Sequence, residues 1–138
     1  MNSNRRVVFD TNVVVSAALL PRSLPRQALD RALRENAVLV SISTLFELED
    51  VLRRPKFIKY VSELEREEFL AALINHAQVV EVRDPIQACR DPKDDKFLEV
   101  AVSGRATHLI SGDDDLLCLH PFRGIAILTP HDFLNIAD

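Results

Sequence analysis

The chain of 138 residues has no tryptophan, one tyrosine and only two cysteines. With so few large aromatic faces, flat platforms on which successive nucleic-acid bases could stack are scarce, and sequence-tolerant backbone binding is favoured over base readout by stacking. Cys89 and Cys118 stand far apart and lack a paired spacing such as CxxC, which argues against a disulfide framework or a structural zinc site and fits the reducing cytoplasm. Arg5 and Arg6 precede apolar residues as they would in a secretory leader. Asp10 and Asn12 interrupt that run, however, and no small-residue cleavage site follows. No stretch is long and apolar enough to span a membrane, and there is no repeat, linker or low-complexity tract. The net charge of −4 also lacks the basic excess that phosphate binding usually brings.

What is present is ordinary globular composition, 47% hydrophobic and 28% charged, in a length that one domain over residues 1–138 can use to bury a core. Near-continuous apolar, β-branched runs at 7–9, 38–42, 79–82, 108–110 and 125–128 read as strands buried on both faces. Between them, 25–36, 44–53 and 62–76 carry apolar residues at helical spacing, a helix over 92–105 follows, and Thr129 and Pro130 open a last helix. Strands alternating with helices imply right-handed crossovers and therefore an α/β fold with a parallel sheet between helical layers.

The acidic residues fall at informative places. In "VVFDTNVVVSA", Asp10 sits at the carboxyl end of the first strand, with Asn12 placed to cap the helix behind it. A carboxylate at the mouth of a central strand is costly unless something pairs with it. In "SISTLFELEDVLRR", Thr44 and Glu47 match the capping box S/T-x-x-E, so Glu47 has a structural alternative to function. Its helix nevertheless starts at the same sheet edge as Asp10. In "CRDPKDDKFLEVAV", Asp91 suits the N-cap, Pro92 the first helical position and Asp94 the third. Asp95 has no capping duty and lies on the stripe that faces the core. In "LISGDDDLL", alternation turns Asp113 and Asp115 inward and Asp114 to solvent. Ligands of doubly wound sheets bind beyond the carboxyl ends of the strands. If the first and fourth strands are neighbours, Asp10 and Asp113 flank that crevice, and Glu47 and Asp95 enter it from helix starts. Carboxylates without a clustered histidine or thiol suit Mg²⁺ or Mn²⁺. His76, His108, His120 and His131 are scattered and read as structural or surface residues.

These segments together, from "VVFDTNVVVSA" through "STLFELEDVL" and "DPKDDKFLEVA" to "HLISGDDDLL" and "ILTPHDFL", resemble a PIN domain. Within that family they resemble the small bacterial toxin components of toxin–antitoxin systems. The resemblance implies a Rossmann-like sheet of order 3-2-1-4-5, Mg²⁺ or Mn²⁺ dependence and single-stranded RNA as substrate. It also implies a homodimer and a cognate antitoxin. It carries the acidic quartet to Asp10, Glu47, Asp95 and Asp113, an additional acid to Asp115, and a polar helper to Ser111. The expected activity is endoribonuclease cleavage of phosphodiester bonds, with Arg22, Arg26, Arg53, Arg54, Lys56 and Lys59 as candidate phosphate contacts. The alternative is a catalytically silent module that binds RNA or protein. A dehalogenase-like phosphatase would need a second aspartate where Asn12 stands, and a receiver domain would need a lysine beyond the fourth strand.

Overall fold

The computed structural model describes residues 4–136. Strands β1 (Arg6–Phe9), β2 (Ala37–Val40), β3 (Ala77–Val79), β4 (His108–Ile110) and β5 (Ala126–Leu128) form a parallel sheet in the order β3-β2-β1-β4-β5. β1 lies at its centre, with Val8 opposite Leu39 on one side and Leu109 on the other. This explains the unbroken apolar runs: Val7, Val8 and Phe9 are all buried because helices cover both faces.

One face carries α1 (Thr11–Leu19), α2 (Leu24–Glu35), α3 (Ile42–Leu52), α5 (Glu63–His76) and α8 (Pro130–Leu134), packed around Phe9, Val14, Leu29, Leu48 and Phe133. The other face carries α6 (Asp95–Ser103), whose Phe97, Leu98 and Ala101 pack on Val8, Leu39 and Leu109. Short helices α4 (Pro55–Ile58) and α7 (Asp114–Leu117) complete the chain.

Three local expectations need correction. The second strand stops at Val40 rather than residue 42, because Ser41 caps α3. Ser41 Oγ accepts from the Thr44 amide, and the Thr44 hydroxyl accepts from the Ser41 amide. The reciprocal box is therefore Ser41 with Thr44, one turn earlier than Thr44 with Glu47, which frees Glu47 from capping. The third strand is 77–79 rather than 79–82, since α5 runs directly into it and Ala77 aligns with Val38. The helix expected from residue 92 begins as a 3-10 turn, Pro92–Asp94, capped by Asp91 as predicted, and becomes α-helical only at Asp95. On α5, Leu73 is buried and Phe69 and Leu70 are half-buried against the core, but Leu64 and Ile74 stay exposed, so the stripe is wider than its seat.

Candidate functional site

The pairing of Phe9 with Ile110 brings the carboxyl ends of β1 and β4 side by side, so the next residues, Asp10 and Ser111, meet. Asp10 is only 4% exposed. Its Oδ1 accepts from the Val13 amide at 2.8 Å, which makes Asp10 rather than Asn12 the cap of α1, and its Oδ2 accepts from the Ser111 hydroxyl. Burial pushes the Asp10 carboxyl above its usual range. The hydrogen bonds from Ser111 and Val13 oppose this, and the charges of Asp113 and Glu47 add to it.

Ser111 also accepts from the Asp113 amide at 2.9 Å, so one buried hydroxyl holds both aspartates. Asp113 Oδ1 in turn caps α7 by accepting from the Asp115 amide at 2.9 Å. Glu47 arrives from α3. Its Oε1 accepts from Lys96 Nζ at 2.9 Å, and its Oε2 accepts from the Thr11 hydroxyl.

Asp94 is the carboxylate that the 3-10 turn delivers. It is pushed up to about 6, first by burial and then by the charge and hydrogen bond of Asp113 and the charges of Asp91 and Asp10. Carboxylate oxygens of Asp94, Asp113 and Asp115 lie within 4.8 Å of one another. Asp10, Glu47, Asp94 and Asp113 share the wall of a cleft of about 210 Å³ with Asp91, Arg54 and Lys93.

Asp95 does not line that cleft. It is buried at 7% exposure, as its place on the helical stripe predicts, but its Oδ1 accepts from the amides of Ala88 at 3.0 Å and Cys89 at 2.8 Å. Burial raises its pKa, but those hydrogen bonds outweigh burial and leave the carboxyl below its usual range. It secures the 88–89 loop, and the structure puts Asp94 in the groove where the sequence expected Asp95. The tight turn is the cause: three residues per turn rather than 3.6 rotates the helix start, so position 94 faces the neighbouring strand ends.

Asp115 joins the groove, with Arg90 Nε 3.6 Å from its carboxylate, and Asp114 is exposed as expected. Among the basic candidates only Arg54 reaches the cleft. Arg26 pairs with Asp30 and Arg53 with Glu49, while Lys56 and Lys59 lie over Phe57 and Tyr60. Thr11, Lys93 and Lys96 went unnoticed in the sequence, although adjacency to Asp10 and to the aspartate cluster was the available signal.

The donors converging here are all carboxylate oxygens. The thiol of Cys89 is pushed up to about 12, first by burial and then by its hydrogen bond to Asp95 and the charges of Asp95, Asp94 and Asp113, so it stays protonated and offers no soft ligand. Such a set fits a hard divalent cation.

Comparison with known proteins places the chain in a family. Residues 6–115 match the PIN domain family. The chain is 34% identical over 116 residues to the uncharacterized protein MJ1680 of Methanocaldococcus jannaschii, covering 83% of this chain and 74% of that protein. The fold superposes on the crystal structure of PAE2754 from Pyrobaculum aerophilum with a TM-score of 0.61 at 17% identity, over 94% of this chain and 88% of that one. It superposes on VapBC2 from Rickettsia felis, solved bound to a DNA fragment from their promoter, with a TM-score of 0.59 at 13% identity, over 88% and 96%. The family match, the sheet order and the acidic mouth of β1 and β4 lead to one assignment: this chain belongs to the PIN domain family.

Proposed function

We propose that this chain is a metal-dependent endoribonuclease that hydrolyses phosphodiester bonds of single-stranded RNA and serves as the toxin of a toxin–antitoxin pair. In this reading Asp10, Glu47, Asp94 and Asp113 hold Mg²⁺ or Mn²⁺, and Asp115 supports the outer side of the site. The observation that carries it is the crowding of carboxylates at the mouth of β1 and β4, where Asp94, Asp113 and Asp115 bring oxygens within 4.8 Å of one another and Asp10 and Glu47 share the cleft with Asp94 and Asp113. A cluster that repels itself makes physical sense as a seat for positive charge.

When bound, the cation supplies charge that acidifies water and offsets the negative charge growing on the phosphate. The chain's own groups do the rest. Ser111 fixes the rotamer of Asp10, and Thr11 fixes that of Glu47. Lys96 offsets part of the charge on Glu47, and Arg54 and Lys93 at the rim offer contacts to substrate phosphates. The Ser111 hydroxyl is committed to Asp10 and the Cys89 thiol stays protonated, so water is the attacking group in this reading.

The test is cleavage of a fluorescent single-stranded RNA in Mn²⁺ by wild type, Asp10→Asn, Asp94→Asn and Asp95→Asn. Asp10→Asn and Asp94→Asn should each lose about a hundredfold or more, and Asp95→Asn, whose amide oxygen still accepts from the loop, should keep most activity. Equal loss of RNA with wild type and Asp10→Asn would assign the cleavage to a contaminant. RNA bound and left intact by wild type would favour the silent binding module.

Partners belong to the same reading. A cognate antitoxin would cover the acidic groove, and a second copy of the chain would cover the apolar surface that α3 and α5 leave open. There Phe46 is 69% exposed beside Ile42 and Ile74. Light scattering across a roughly tenfold concentration range checks the dimer, which a constant monomer mass would defeat.

A further inference from the structure

The carboxyl ends of β1, β4 and β5 border a second cavity of about 510 Å³, larger than the acidic cleft of about 210 Å³, and Asn12 and Asp113 line both. Its chemistry is different. Val13, Leu24, Pro25 and Pro130 give it mainly apolar walls, and no lysine or arginine lines it. Two polar side chains of α1 face it, Asn12 and Ser16, one helical turn apart and so on one face. Neither has a side-chain hydrogen bond among the described residues. The exposed imidazole of His131 stands on the rim, at the first turn of α8.

A phosphate is a poor occupant, since the cavity has mainly apolar walls and no lysine or arginine to pair with it. A flat, uncharged heterocycle with polar edges fits: the prolines and aliphatics cover its faces, and Asn12 and Ser16 have donors and acceptors to spare. We infer that this cavity is the subsite for the nucleobase next to the scissile phosphate, so that Asn12, Ser16 and His131 select which base is accepted. The inference rests on the nuclease reading. It supplies base selection that the sequence, lacking stacking aromatics, did not suggest. A phosphate held at the acidic cleft would present its neighbouring base to this cavity without the strand leaving the sheet edge.

Backbone amide spectra of the ¹⁵N-labelled full chain test it, titrated separately with AMP, GMP, CMP, UMP and ribose 5-phosphate in Mg²⁺. At least one nucleotide should shift the amides of Ser16, Leu24, Gly112 and His131 saturably, and ribose 5-phosphate should not. Ser16→Leu, which fills the cavity, should weaken that nucleotide about tenfold while its spectrum stays folded, and His131→Ala should change the rank order of the four. If ribose 5-phosphate shifts the same amides as strongly, or no nucleotide reaches them, the base subsite is wrong. A cavity that ignores nucleotides but takes up a peptide of an antitoxin overturns it too. Nucleotides seated in the cavity of a chain that cleaves no RNA would remove the nuclease reading and, with it, the place beside a scissile phosphate, leaving a nucleobase pocket. RNA cleavage with an empty cavity would do the reverse.

Discussion

Asp94 is one of two carboxyls in the acidic cleft that are raised above their ordinary range. Its carboxyl is raised to about 6 from an ordinary 3.8, so the folded chain holds that proton more tightly than the unfolded chain does. Stability therefore falls as pH rises from the ordinary value through about 6, and above that the penalty is fully present. In chelator at pH near 7.5, Asp94→Asn should melt a few degrees above wild type, ~1 kcal/mol being worth about 3–6 °C in a chain of this size. The gap should close toward pH 4.5. A melting series that shows no gap, or one that widens in acid, would remove the repulsion argument. Asp95→Ala should go the other way, losing about 1–3 kcal/mol, because two loop amides lose their acceptor. Asp10 and Asp113 were legible in the sequence because a carboxylate directly after a buried strand has few places to go. The choice between Asp94 and Asp95 was not, because neighbouring positions on a helix differ by about 100° and a 3-10 start shifts that angle. The burial of Asp95 was foreseen, and its consumption by Ala88 and Cys89 depends on a loop whose path the sequence does not reveal.

At the scale of elements, the strands and their parallel arrangement followed from apolar runs that alternate with helical spacing, the order β3-β2-β1-β4-β5 followed from the family resemblance, and the differences lie at boundaries. Ser41 and Thr44 outcompeted Thr44 and Glu47 for the start of α3 because both hydroxyls can reach an amide at once, whereas Glu47 is drawn to Thr11 and Lys96. The exit of α6 shows a tighter constraint. A Cβ on Gly104 would come within 2.8 Å of Leu39 Cδ1 and 3.0 Å of both the Val100 carbonyl and Val80 Cγ2, so a side chain there would push Leu39 aside and crowd the helix against β2. Gly104→Ala should cost about 1–3 kcal/mol in urea unfolding, with the slope unchanged. Gly112→Ala, which meets nothing within 4 Å, should stay within about 0.5 kcal/mol of wild type. Equal costs for the two would mean that backbone freedom rather than packing sets the requirement.

The molecule as a whole carries a net charge of −4, and a tight group of its acids gathers at one end of the sheet, where β1 and β4 stop. That concentration was legible once the sheet order was known. Which apolar faces stay open was not, because coverage of Phe46 and Ile74 depends on how far α5 leans over α3. The charge distribution leads to a prediction about the whole fold. The unfolded chain spreads its carboxylates apart and the folded chain brings them together, so a divalent cation binds the native state preferentially and stabilises it by mass action. Mg²⁺ or Mn²⁺ at about a hundred times its dissociation constant should contribute ~2.7 kcal/mol, seen as a rise in melting temperature that chelator reverses. NaCl at matched ionic strength should give only a small part of that rise, since screening weakens the repulsion without occupying the cleft. In Asp113→Asn, which removes the carboxylate that neighbours both Asp10 and Asp94, the melting temperature without metal should rise and the response to Mg²⁺ should largely vanish. A variant that keeps the full response places the cation away from the mouth of β1 and β4, and a wild type that responds equally to NaCl has no specific cation site there.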